Sequence, residues 1–130
     1  MEKVIKILLV EDDTLDVMDA KRTLDKMGVL HIMTVAKNGE EAIQHLEKTA
    51  QENPDTRPDV ILLDINMPKM NGLEFLAQIR SNGAHQSLPV IIISTEGRDE
   101  DTQRGLEAGA TAYIKKPFHS EDILEKISQL

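Results

Sequence analysis

The chain has 130 residues, enough for one domain and too few for two. Fifteen Lys and Arg against 23 Asp and Glu give a formal charge of -8, which argues against nucleic acid as a partner. Cysteine is absent, so disulfides and thiolate metal sites are excluded, and aromatics at 2% require a core of aliphatic side chains.

The first apolar run is Ile5 to Val10, and it turns acidic at once in Glu11, Asp12 and Asp13. It lacks the small-residue cleavage site of a signal peptide, and no apolar stretch reaches the ~18 residues of a membrane span. A cytoplasmic location and no membrane partner are the expectation.

A helical pattern follows, with Val17, Ala20, Leu24 and Met27 on one face and Gly28 as its stop. Asp13 or Thr14 suits its N-cap. His31 to Ala36 reads as a second strand. Asn38 suits the N-cap of a second helix carrying Ala42, Ile43, Leu46 and Ala50. QENPDTRPD, with two prolines, reads as a loop.

Val60 to Ile65 is a third strand, apolar until Asp64. Gly72 to Arg80 repeats apolar positions at Leu73, Leu76 and Ile79, a third helix. Pro89 to Ser94 is a fourth strand. Residues 99 to 108 form a charged helix that stops at Gly109, and Ala112 to Lys116 a short fifth strand. Ser120 can cap a last helix with Ile123, Leu124 and Ile127 inside. The histidines (His31, His45, His85 and His119) have no partner at ligand spacing and read as surface or loop residues. The methionines read as gap-fillers in an aromatic-poor core.

Five βα units with strands apolar on both faces predict a doubly wound α/β sandwich, (βα)5 and flavodoxin-like, around a central five-stranded parallel sheet. Ligands of such sheets bind at the carboxyl ends of the strands, where the strand order switches. The polar residues collect at those ends. Glu11 and Asp12 end strand one, Asp64 ends strand three with Asn66 in the loop after it, Ser94 and Thr95 end strand four, and Lys116 ends strand five.

Carboxylates sharing a cleft repel one another, which raises one pKa or demands a counter-ion. With no His or Cys nearby, a hard divalent cation fits: Mg²⁺ or Mn²⁺ rather than zinc. Lys116 would face the acids as a point charge, and the Ser94 hydroxyl could hydrogen-bond an oxygen added to Asp64. That set suits phosphoryl transfer to a carboxylate.

The motifs VEDD, LLDINMPKMNG, PVIIIST and GATAYIKKPF resemble, in order and over nearly the whole chain, the receiver domains of response regulators. The resemblance implies that residues 1–130 are one receiver domain, with Asp64 as phosphoacceptor and a sensor histidine kinase as phosphodonor. It implies Asp12 as a direct Mg²⁺ ligand, Glu11 acting through water, and the backbone carbonyl of Asn66 as a further ligand. It also implies Ser94 as the switch hydroxyl, Lys116 as the family's lysine, Tyr113 as the aromatic switch, and a cis bond before Pro117. Partner binding, or pairing into a homodimer, would fall on the face built from the fourth helix, fifth strand and fifth helix.

The segment KTAQENPDTRPD is longer than the family's usual connection. In this it resembles single-domain receivers paired with phytochrome-type kinases, though a neutral surface insertion reads equally well. Two other functions remain as alternatives. An aspartyl-phosphate phosphatase would need a second acid two residues after its nucleophile, where this chain has Asn66. A pseudo-receiver scaffold would have lost site residues that are all present. The chain is therefore expected to be a phosphoacceptor that assists its own chemistry and not an enzyme acting on a separate substrate.

Overall fold

The computed structural model describes residues 4–26, 28, 30–52, 54–64, 72–83, 85–94, 99–115 and 120–129. Five strands form one parallel sheet: β1 (Ile5–Val10), β2 (His31–Ala36), β3 (Val60–Asp64), β4 (Val90–Ser94) and β5 (Ala112–Lys115). Their order across the sheet is β2-β1-β3-β4-β5. The helices are α1 (Thr14–Asp25), α2 (Gly39–Glu52), α3 (Gly72–Arg80), α4 (Asp99–Glu107) and α5 (Ser120–Ser128). The chain steps outward from β1 to β2 and then returns past β1 to β3. The order therefore reverses between β1 and β3, and their carboxyl ends flank the switch point.

Strand apolarity on both faces gives two cores. Leu8, Val10, Ile61, Leu63 and Ile92 point to one side, where they meet Ala42 and Leu46 of α2 and Phe75, Leu76 and Ile79 of α3. Ile7, Leu9, Leu62, Ile91 and Ile93 point to the other, against Ala20 and Leu24 of α1 and Ile123 of α5. The alternation follows from the strand period of two. β3 is buried throughout and sits at the centre of the sheet.

The local signals act as their chemistry requires. Asp13 caps α1, its carboxylate accepting from the Leu15 and Asp16 N–H groups. Asn38 caps α2 by accepting from the Glu41 N–H at 2.9 Å. Gly28 takes φ +73 after α1, and Gly109 takes φ +111 after α4.

Several boundaries and faces differ from the sequence reading. Pro89 stays outside β4. It has no N–H for the ladder, and its carbonyl accepts from Ile61. The stretch read as a loop starts inside α2, which runs to Glu52, and continues as a short 3-10 turn at Pro54–Thr56. That segment is tied to β1: the Asp59 N–H donates to the Lys6 carbonyl, the Lys6 N–H to the Asp59 carboxylate, and the Lys6 ammonium to the Asp55 carbonyl. Thr49 rather than Ala50 is buried on α2, because its hydroxyl is satisfied by the Leu46 carbonyl one turn back. Leu124 and Met18 lie at the surface, not in the core. Met27, Ile65 and His119 lie outside the described residues.

His85 is the largest departure. It sits in the α3–β4 connection, as expected, yet only 4% of it is exposed. Among the described residues its Nδ1 has no hydrogen-bond partner, and a cavity of about 40 Å³ between α2 and α3 lies beside it.

Candidate functional site

The site is assembled at the carboxyl ends of β1 and β3. The Glu11 N–H donates to the Ala36 carbonyl at 3.0 Å, one step beyond the β1–β2 ladder. This fixes the Glu11 backbone at the end of the ladder, and only 3% of the residue remains exposed. Its Oε2 accepts the Asp13 N–H at 3.3 Å. Asp12, the next residue along, is exposed. Asp64 ends β3 and is 6% exposed.

One carboxylate oxygen from each of Glu11, Asp12 and Asp64 lies within 4.8 Å of the other two. The strand order accounts for this, because β1 and β3 are adjacent and Val10 is in register with Leu63. The residues just beyond, Glu11 and Asp64, therefore share one edge of the sheet.

Three like charges this close, two of them largely cut off from water, make a strong case for a counter-ion. The donors are hard oxygens, and one face of the group reaches solvent through Asp12. The residues fit a cation such as Mg²⁺, which keeps several waters when bound.

β4 brings its own end to the same edge. Asp64 is in register with Ile93, so the backbone of Ser94 stands one residue further along. Ser94 is in register with Lys115 of β5. Lys115 and Tyr113 are exposed on β5. Asn66, Thr95, Lys116 and Pro117 fall outside the described residues, as does the side chain of Ser94.

Sequence reasoning found the three acids but left the neighbouring cap open between Asp13 and Thr14. It also missed that the Asp13 amide holds Glu11. The signal was present in part, since Asp followed by a helical pattern is a capping pattern. That a backbone amide would face a carboxylate two residues earlier is not legible from residue types.

A doubly wound sheet with a three-carboxylate cluster at its switch point is the frame of the response regulator receivers. The family model for the response regulator receiver domain matches residues 7–128, and the chain belongs to that family. It is 35% identical to the chemotaxis protein CheY1 of Helicobacter pylori over 123 residues, 95% of this chain and 94% of that one. Among solved structures it resembles the bacteriophytochrome response regulator AtBRR, with a TM-score of 0.84 and 29% identity over 98% of this chain and 93% of that one. It also resembles the phosphorylated cyanobacterial phytochrome response regulator RcpA, with a TM-score of 0.78 and 30% identity over 98% and 91%. The chain is thus a receiver of two-component signalling, the class of domain whose task is to accept a phosphoryl group. Among the described residues no helix is long and apolar enough to cross a membrane.

Proposed function

We propose that residues 1–130 act as a cytoplasmic receiver in which Asp64 takes a phosphoryl group from a phosphohistidine of a sensor histidine kinase. A carboxylate oxygen of Asp64 attacks phosphorus, and the P–N bond breaks. The imidazole nitrogen leaves with the bonding pair. The observation that carries this reading is the convergence of the Glu11, Asp12 and Asp64 oxygens within 4.8 Å at the switch point.

Glu11, Asp12, Asp64 and the Asn66 carbonyl would hold Mg²⁺, which when bound offsets charge on the transferring group. The protein's own residues do the rest. Burial keeps Asp64 aligned on a rigid central strand. Ser94 and Lys116 are the residues that would meet the added phosphoryl oxygens, on the strength of the motifs that contain them. The chain catalyses its own modification and processes no separate substrate, consistent with Asn66 standing where a phosphatase of the aspartyl type needs an acid.

The output face is α4–β5–α5. Leu106 on α4, Tyr113 on β5 and Leu124 on α5 each leave 39% of their surface exposed there. A groove of about 260 Å³ on this face is lined by Tyr113 and Ile114 of β5 and Asp122 of α5. Phosphorylation would draw Ser94 and then Tyr113 inward and shift the population of this face toward a bound partner or a second copy. The likeness to AtBRR and RcpA supports a kinase of the phytochrome type.

The test is incubation with acetyl phosphate and Mg²⁺, read by intact mass. One added phosphoryl group, lost in Asp64→Asn and without Mg²⁺, is the expected result. No gain from acetyl phosphate or from a phosphorylated kinase would make the chain a pseudo-receiver.

A further inference from the structure

We infer that Asp13 is a positioning residue for the cation site, acting through the turn that carries Glu11 and Asp12. The inference rests on the reading of those acids and Asp64 as cation ligands. The sequence offers three consecutive acids, and the structure gives the third a different task.

The Asp13 side chain points back into its own helix. Its Oδ1 accepts the Leu15 N–H at 2.8 Å and the Asp16 N–H at 3.3 Å. Its backbone is extended, φ -85 and ψ 119, as an N-cap requires, and its carbonyl starts the helical ladder by accepting from Val17 at 3.0 Å. That geometry aims the Asp13 N–H away from the helix, at the Glu11 Oε2. On its other side the Glu11 N–H is fixed to Ala36. The two-residue turn carrying Glu11 and Asp12 is therefore clamped at both ends: by the β2 backbone before it and by the capped first turn of α1 after it.

The cap does for the site what a supporting group does for a metal ligand. Without it the Asp13 backbone is free to leave the extended conformation, and its N–H swings off Glu11. Glu11 and Asp12 then have to be ordered by the cation itself, and that ordering subtracts from binding. The coupling is reciprocal. A cation that fixes Glu11 also stabilises the α1 cap, so its arrival should slow exchange of the Leu15 and Asp16 amides.

The test is Mg²⁺ binding to the unphosphorylated full chain by calorimetry, with amide exchange of α1 measured with and without the ion. Asp13→Ala is expected to weaken Mg²⁺ by about tenfold, the lower end of what losing a ligand's supporting group costs. It should also abolish the cation-induced protection at positions 15 and 16. Asp13→Asn keeps a cap of similar quality without the charge, and should stay within about threefold of the wild type. Ile79→Val, a destabilised core control remote from the turn, should bind as the wild type does.

Equal weakening in Asp13→Ala and Asp13→Asn would show that charge, not capping, matters, and would overturn the inference. So would unchanged affinity in Asp13→Ala. If Ile79→Val weakens binding as much as Asp13→Ala, the effect is general destabilisation and the inference falls. A wild-type chain that binds no Mg²⁺ would remove the cation reading itself, and the inference with it.

Discussion

The Arg80 guanidinium donates from Nε to the Gly109 carbonyl at 2.9 Å, joining the end of α3 to the turn that follows α4. A second nitrogen of the same group donates to the His85 carbonyl at 3.1 Å. Arg80 is half-buried, and burial holds its pKa below the ordinary value, though far too high to lose the charge at neutral pH. One side chain thus ties the end of α3 to two connections, α3–β4 and α4–β5, at the end of the sheet opposite the carboxylates. This matters for α4, where Gly105 is the one buried residue among 103–107.

Two substitutions test that tie. Arg80→Ala should destabilise by about 1–3 kcal/mol, since two charge-assisted hydrogen bonds are lost together with the packing of the stem. Gly109→Ala should cost a similar ~1–3 kcal/mol for a different reason. Its φ of +111 disfavours any side chain, and an added Cβ would lie 3.1 Å from the Arg80 Cγ. Urea unfolding followed by far-UV circular dichroism measures both. If either variant unfolds at the wild-type midpoint, the tie contributes little.

His85 makes stability depend on pH. Burial first, and the Arg57 charge second, hold its pKa below the ordinary 6.5; Glu47 pulls the other way with the smaller effect. The folded state therefore favours the neutral ring, while the unfolded chain takes up a proton as pH falls past 6.5. Stability from this group is fully present above 6.5 and is lost as pH drops toward the folded pKa. His45, lowered by burial and by Lys48, adds in the same direction. Urea midpoints measured from pH 7.5 to 5.5 should fall, and the slope should flatten in His85→Leu. An unchanged slope in that variant would show that His85 is not the group responsible.

Phe75 carries the helix side of the first core. It is fully buried, one of two Phe in an aromatic-poor chain, and packs with Leu76 and Ile79 of α3. Phe75→Ala should cost about 3–5 kcal/mol, and Phe75→Leu clearly less, because Leu fills more of the space. Thermal unfolding distinguishes the two. A small loss in the Ala variant would mean that α3 collapses onto β3 and closes the void.

How far the sequence discloses this molecule follows from which forces act locally. Parallel strands covered on both faces announce themselves as apolar runs, so the core positions of Leu8, Leu62 and Ile92 are legible from sequence. The helix cap at Asn38 depends on a few adjacent residues and is equally legible, whereas residue types narrow the α1 cap only to Asp13 or Thr14. Asp64 was legible because a charge ending a buried run is costly unless it has a task. The misplaced residues depend on neighbours distant in sequence. His85 is polar and lies in a turn, yet Arg57 and α2 close over it. Leu124 has the right helical spacing, but Ile123 and Ile127 are the α5 residues that pack on the core, and Leu124 is left exposed. The length of α2 was obscured because Gln51 and Glu52 resemble the polar loop they precede.

The carboxylate cluster supplies the last prediction. With no cation bound, Glu11, Asp12 and Asp64 hold three like charges within 4.8 Å of one another. Charges about 4 Å apart near a protein surface repel by roughly 1–4 kcal/mol per pair, depending on how far water screens them. Asp64→Asn removes the buried member at the end of β3 and leaves its shape in place. In excess chelator this variant should therefore unfold at a higher temperature than the wild type. Adding Mg²⁺ should reverse the order. An ion at a hundred times its dissociation constant stabilises the folded state by about 2.7 kcal/mol, and the wild type gains this while the variant gains little. The crossing of the two melting curves is the signature of a site whose charge is tolerated for binding. If the wild type is already the more stable in chelator, the acids are held by hydrogen bonds strong enough to outweigh their repulsion, and the case for a cation made from charge alone is lost.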